Sequence, residues 1–95
     1  MTYRLQFDPR ALKEWDKLGH TVKDALRNQL KKVIQAPRIE KNKLVGLPDC
    51  YKIKLRSDGY RLVYQVQDNV LVVLVIAIGK REKNTAYDKA RVRIE

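Results

Sequence analysis

The residues of this chain whose types and spacing suit chemistry gather in its second half. In Tyr51-Lys52-Ile53-Lys54-Leu55-Arg56, cations alternate strictly with apolar residues and no carboxylate interrupts them. If the segment is extended, a period of two sends Lys52, Lys54 and Arg56 to one face and Tyr51, Ile53 and Leu55 to the other. Like charges held side by side repel, so such a row is rarely built unless an anion sits among them, which points toward phosphate. Arg61 falls on the next strand-like stretch, Lys80-Arg81 stand where a third one ends, and the later Tyr87 offers a ring for stacking on an unpaired base. Any one of these cations, taken singly, reads more simply as a solvated surface charge. The alternation across a hairpin lowers the weight of that reading.

The elements that must position these groups follow from the punctuation of the chain. Tyr3, Leu5 and Phe7 alternate with polar residues as in a strand, and Asp8-Pro9 supplies an N-cap and a first-turn proline for a helix carrying Leu12, Trp15 and Leu18. Gly19-His20 breaks that pattern, and Thr21 is expected to cap a second helix with Val22, Leu26, Leu30, Val33 and Ile34, ended by Pro37. Trp15 shares the apolar stripe and is expected to be a core anchor, and His20 belongs to the turn between the helices. From Asp49 onward a meander is expected. Ser57-Asp58-Gly59 separates the cationic strand from residues 60–66, and Asp68-Asn69 separates that strand from the apolar run 70–78, so neighbours should be antiparallel. The charged tail over residues 82–95 predicts a short or mobile helix, weakly supported by Ala86, Ala90 and Val92. The expected class is α+β: an N-terminal strand and helix hairpin packed on a mostly antiparallel sheet, with a short C-terminal helix, in one domain over residues 1–95.

Composition narrows the partners. With 21 Lys plus Arg against 11 Asp plus Glu, the formal net charge is +10 on 95 residues, which predicts salt-sensitive attraction to a polyanion, nucleic acid above all. The lone Cys50 excludes an internal disulfide and a cysteine-built zinc site, in keeping with a cytoplasmic location, and reads best as a small, partly buried residue. No apolar leader opens the chain, and the run 70–78 is about half the length of a membrane-spanning helix. No cluster of His, Cys or carboxylates suggests a metal, and no cofactor is expected.

Along essentially its whole length the sequence resembles the RelE family of bacterial messenger-RNA endonuclease toxins. The resemblance is carried by Ala11-Leu12-Lys13-Glu14-Trp15 with Lys17-Leu18-Gly19, by Pro37-Arg38-Ile39-Glu40 and Asn42-Lys43-Leu44, and by Pro48-Asp49-Cys50 running into the cationic strand. It continues through Gly59-Tyr60-Arg61-Leu62-Val63-Tyr64-Gln65-Val66 and Gly79-Lys80-Arg81-Glu82. It implies a RelE-like, microbial-ribonuclease-like fold that enters the 30S A site of the 70S ribosome, against 16S rRNA, and cuts the mRNA there. It also implies a RelB-like antitoxin that neutralises the chain and through which alone it reaches operator DNA; no membrane partner is implied.

By the same resemblance, Lys52 and Lys54 match the paired active-site lysines, Arg61 and Arg81 the phosphate-binding and catalytic arginines, and Tyr87 the tyrosine near the scissile nucleotide. Arg56, Lys80 and Lys83 are expected to contact RNA. The pattern departs at Val45, where the family commonly carries an arginine, so one auxiliary RNA contact is expected to be lost. The residue chemistry is compatible: RNA brings its own 2′-OH nucleophile, so the protein must supply only a base, charge stabilisation and an acid. Repulsion from Lys52, Arg61 and Arg81 favours a neutral Lys54, the expected general base. Lys52 and Arg61 would hold the phosphate, Arg81 would stabilise the leaving 5′-oxygen, and Tyr87 would orient the backbone. A non-catalytic nucleic-acid-binding module and a related toxin acting on a protein target such as gyrase are the alternatives.

Overall fold

The computed structural model describes residues 2–80 and 85–94. Four strands, β1 (Arg4–Phe7), β2 (Cys50–Leu55), β3 (Tyr60–Gln67) and β4 (Val72–Lys80), form one sheet in the order β1-β4-β3-β2. The two hairpin-linked pairs are antiparallel and β1 runs parallel to β4, so the sheet is mixed and mostly antiparallel as expected. Parallel pairing of the first strand with the last requires a crossover, and the helices α1 (Pro9–Asp16) and α2 (His20–Val33) lie within it. A third helix, α3 (Thr85–Ile94), follows β4.

Side-chain alternation divides the interior into two layers. Ile53, Leu62, Tyr64, Val73 and Ile78 turn to the hairpin side, where Leu26, Leu30 and Val33 of α2 meet them. Cys50, Val63, Ile76 and Ala77 turn the other way, toward Ala86 and Ala90 of α3. The sheet is therefore covered on both faces. Ile76 and Ala77 point the same way because the β3–β4 register shifts there, Val63 pairing with Ala77 and Tyr64 with Val75. One extra residue on β4 makes this bulge.

The helix boundaries show which local signals act. Asp8 caps α1 by accepting the Arg10 backbone N–H at 2.9 Å, and Pro9 opens the helix. Thr21 does not cap α2: the helix begins at His20, with Gly19 as its cap and no side-chain bond. His20 is therefore the helix's first residue, its Nε2 3.1 Å from Asp24. Trp15 does anchor the hairpin, packing edge-on against Phe7, whereas Leu12 is largely exposed because Ala11 takes the buried position beside it. The last strand starts at Val72 rather than Val70, since the chain is still turning through Leu71 at φ 54°. Cys50 is fully buried, and that burial pushes its thiol up to about 11, an inert form. In α3, Ala86 and Ala90 are buried as the pattern suggests, but Val92 is 72% exposed and gives the helix no seat.

At the end of the sheet away from the cationic row, Arg38 donates to Asp68 at 2.7 Å and to the Tyr51 hydroxyl at 3.1 Å, while the Tyr3 hydroxyl donates to Asp68 at 2.6 Å. These bonds fasten the segment after α2 to the β3–β4 turn. No helix among the described residues is long and apolar enough to cross a membrane.

Candidate active site

Strand pairing sets the geometry of the cationic row. Lys54 lies directly opposite Arg61 across β2 and β3, and Arg61 lies opposite Gly79 across β3 and β4. The three positions make one line across the sheet on the face that α3 covers. Gly79 has no side chain because α3 starts against it: a Cβ there would collide with Thr85 Oγ1 and stand 2.8 Å from the Ala86 backbone nitrogen. That close approach brings Tyr87 over the row, with the Arg61 guanidinium carbon 4.9 Å from the centre of its ring. The bulge is what aligns Gly79 with Arg61. Without the extra residue, Ile78 would take that place and its side chain would fill the space α3 occupies.

Lys54, Leu55, Arg56, Tyr60 and Arg61 line a concavity of about 220 Å³. Around the outer edge of β2, Lys52, Lys54 and Arg56 join Lys41 and Asn42 in a second of about 350 Å³. Lys54 belongs to both. The neighbouring Lys52 ammonium, the contact between the two amines, some loss of hydration, and the charges of Arg61 and Arg56 all act to hold Lys54 below the ordinary lysine range. Tyr87 is half-buried, and burial raises its hydroxyl above the usual phenol value although Arg61 opposes this. Its hydroxyl oxygen has no hydrogen-bond partner among the described residues.

Thus the structure brings Lys52, Lys54, Arg56, Arg61 and Tyr87 together. It does not bring Lys80 to them. Lys80 pairs with Tyr60 on the opposite face of the sheet and lines a separate concavity with Lys17, Leu18 and Lys89. The reason is parity: Gly79 faces α3, so its neighbour must face away. One face of the Tyr87 ring is already occupied by a guanidinium, which the sequence did not suggest. Arg81 and Lys83 lie outside the described residues. Val45 is almost fully exposed in the loop before β2, next to Gly46 at φ 84°.

The family model for the ParE toxin of type II toxin–antitoxin systems matches residues 5–85. Over 94 residues the chain is 62% identical to the mRNA interferase toxin RelE of Escherichia coli (strain K12), covering 99% of both chains. The free state of a doubly substituted mutant of E. coli toxin RelE superposes with a TM-score of 0.92 at 60% identity, covering 100% of both. The toxin chain of the intact E. coli RelBE toxin–antitoxin complex superposes with a TM-score of 0.81 at 65% identity, over 82% of this chain and 95% of that one.

The chain belongs to the RelE/ParE toxin family.

In this RelE/ParE-family chain, one residue at the site's support escaped the sequence reading. Glu14 of α1 accepts Lys89 Nζ at 2.5 Å and Arg93 at 2.9 and 3.0 Å, all from α3, and accepts the Ile78 backbone N–H at 3.1 Å. Burial acts to raise its pKa, and the bonds from Arg93, Lys89 and the Ile78 amide outweigh it, holding the carboxyl below its ordinary value. A signal existed in the pattern: Glu14 stands on the stripe made by Ala11, Trp15 and Leu18, where a carboxylate needs a buried partner. Lys89 and Arg93, four apart, share one face of α3 and answer it.

Proposed function

We propose that this chain is an endoribonuclease toxin that cleaves mRNA in the A site of the ribosomal 30S subunit, in the cytoplasm. The observation that carries the reading is the direct opposition of Lys54 and Arg61, with Tyr87 held against Arg61, in a row free of carboxylates. Lys54, pressed toward its neutral form by Lys52, takes the proton of the 2′-OH as its oxygen attacks the adjacent phosphorus. Arg61 and Lys52 oppose the charge that grows on the non-bridging oxygens. As the bond to the 5′-oxygen breaks, Arg81 stabilises that oxygen, and a 2′,3′-cyclic phosphate is left on the upstream fragment. Tyr87 lies against Arg61, so the ring and the guanidinium face the nucleotide from the same place. Arg56 holds a neighbouring phosphate and Lys83 has the same supporting role, whereas Lys80, on the opposite face, is not part of the scheme. No cofactor enters this scheme, because the substrate brings the nucleophile and the protein brings the charge.

The antitoxin partner follows from the likeness to E. coli RelE, which forms a complex with its antitoxin RelB. A RelB-like chain would neutralise this one and connect it to operator DNA. The test of the activity is cleavage of one messenger by the purified chain with and without programmed ribosomes. Strong cutting within the A-site codon and weak cutting of free RNA are expected, since the ribosome supplies the orientation that a small site cannot. Equal cutting without ribosomes would overturn the A-site reading, and no cutting at all would return the chain to a binding module.

A further inference from the structure

β1 ends at Phe7, paired with Val75, and the chain then turns away into α1. Beyond that point no strand among the described residues lies beside the edge of β4, yet its polar groups are partnered. Arg93 donates to the Ile76 carbonyl at 2.7 Å, Glu14 accepts the Ile78 N–H at 3.1 Å, and Lys89 reaches the Ile78 carbonyl at 3.4 Å. Three side chains from two helices thus replace a missing strand. Arg93 and Glu14 are mostly buried there, their side chains 11% and 17% exposed, while Lys89 is 39% exposed.

The cluster matters more because α3 has little else to hold it. Its buried residues are Ala86 and Ala90, the smallest apolar side chains, with Tyr87 and Ile94 partly buried beside them. Apolar burial of two methyl groups is a weak anchor beside the leucines and valines that seat α2. Glu14 supplies the rest from across the sheet edge. Tyr87 lies on the same helix, two positions before Lys89 and six before Arg93, so whatever seats these cations also fixes the ring.

We infer that Glu14 is a positioning residue for the RNA-cleaving site: by binding Lys89 and Arg93 on the vacated edge of β4, it holds Tyr87 against Arg61. The inference rests on the cleavage reading above, but its physical core does not depend on RNA. Glu14 never touches substrate. It acts through the seat of α3, and replacing its charge should loosen the helix and leave the Lys52–Lys54–Arg56 strand where it is.

The test compares the full-length chain with Glu14→Gln, alone and in a Tyr87→Ala background, and with Arg93→Gln as a second way into the same cluster. Glutamine still accepts from Ile78 but cannot pair with two cations. Hydrogen exchange should quicken across residues 86–94 in Glu14→Gln and Arg93→Gln while α2 keeps its protection, which also verifies that the variants are folded. Single-turnover cleavage at saturating programmed ribosomes should fall about tenfold to a hundredfold, the usual cost of a small misplacement. Half-saturating ribosome concentration should stay unchanged. In the Tyr87→Ala background Glu14→Gln should cost less than about twofold, because the group it positions is gone. Full cleavage by Glu14→Gln, or a loss that multiplies with Tyr87→Ala, would overturn the inference and leave the cleavage reading standing. A parent chain inert on ribosomes would overturn both.

Discussion

The two faces of the sheet are covered by helices held in opposite ways. On one side, α2 lays Leu26, Leu30 and Val33 onto Ile53, Leu62 and Tyr64, with Trp15 of α1 closing the layer against Phe7. On the other, α3 offers two buried alanines, with Tyr87 and Ile94 partly buried beside them, and is tied through Lys89 and Arg93 to Glu14 at an open strand edge. The first arrangement is non-directional and tolerant, the second directional and sensitive to charge. Lys52, Lys54, Arg61 and Tyr87, the candidate groups brought together, sit on the second face. A fold that keeps its stability on one side and its reactivity on the other leaves the reactive side free to be strained, charged and adjustable.

The largest expected effect separates the two faces by function. Lys54→Ala should slow the chemical step about a hundredfold to ten-thousandfold at saturating ribosome, the cost of losing a general base. Lys54→Arg should fail almost as badly, since arginine keeps the charge but does not become neutral at working pH. Neither ribosome binding nor melting temperature should drop. A lysine whose pKa is lower in the fold than in the unfolded chain is one whose charge disfavours folding at neutral pH, so Lys54→Ala should melt no earlier than the parent. Near-normal single-turnover cleavage by Lys54→Arg would turn Lys54 into one more phosphate clamp.

Next comes the opposite experiment, on the other face. Leu26 is fully buried, and Leu26→Ala should cost about 2–5 kcal/mol of unfolding free energy in a urea titration. Below its melting range that variant should cleave at close to the parental rate, because α2 packs on the apolar face of β2 and Leu26 does not line the cationic concavities. A rate loss far exceeding the unfolded fraction would show that the faces are coupled.

The smallest effect distinguishes the two helix seats by pH. Glu14 has a folded pKa below its ordinary value of 4.5, so its contribution is complete above that value and is lost as pH falls through the depressed one. Protection factors across α3 should stay level from neutral pH to about 5 and then fall below about 4.5, in the window set by that shift. Those of α2, seated on apolar side chains and capped by Gly19 without a side-chain bond, should hold further into acid. Parallel loss in both helices would mean that α3 is not a separately fastened unit.

Much of this arrangement was legible because strands advertise their faces. The alternation over residues 51–56 showed which side chains are core and which are outward cations, and the turns at 57–59 and 68–69 gave antiparallel neighbours, as the pairing of β2, β3 and β4 shows. The apolar run 70–78 has no alternation, so nothing in it could reveal the bulge at Ile76 and Ala77 or the face on which Lys80 would emerge. Cys50 was read as partly buried and is fully so, a matter of degree that composition does not set. For α3, Val92 misled because a weak apolar pattern cannot say that charges do the anchoring. Glu14 was visible as a polar residue on an apolar stripe, but its partners lie 75 and 79 positions away, beyond any local rule.

One consequence concerns crowding rather than catalysis. β2 is the outer strand of the sheet, and its start is covered where the Leu44 N–H donates to the Cys50 carbonyl at 2.9 Å and Lys43 bridges to Tyr51. Past that bridge, the described residues place no further strand against it. An open strand edge is a template on which another molecule of the same chain can add itself, and lysines on such an edge are among the commonest defences against fibril-like stacking. Lys52, Lys54 and Arg56 stand there. The side chains proposed for phosphate are thus also of the kind that discourages edge-to-edge pairing, and a chain relieved of all three is expected to be less soluble.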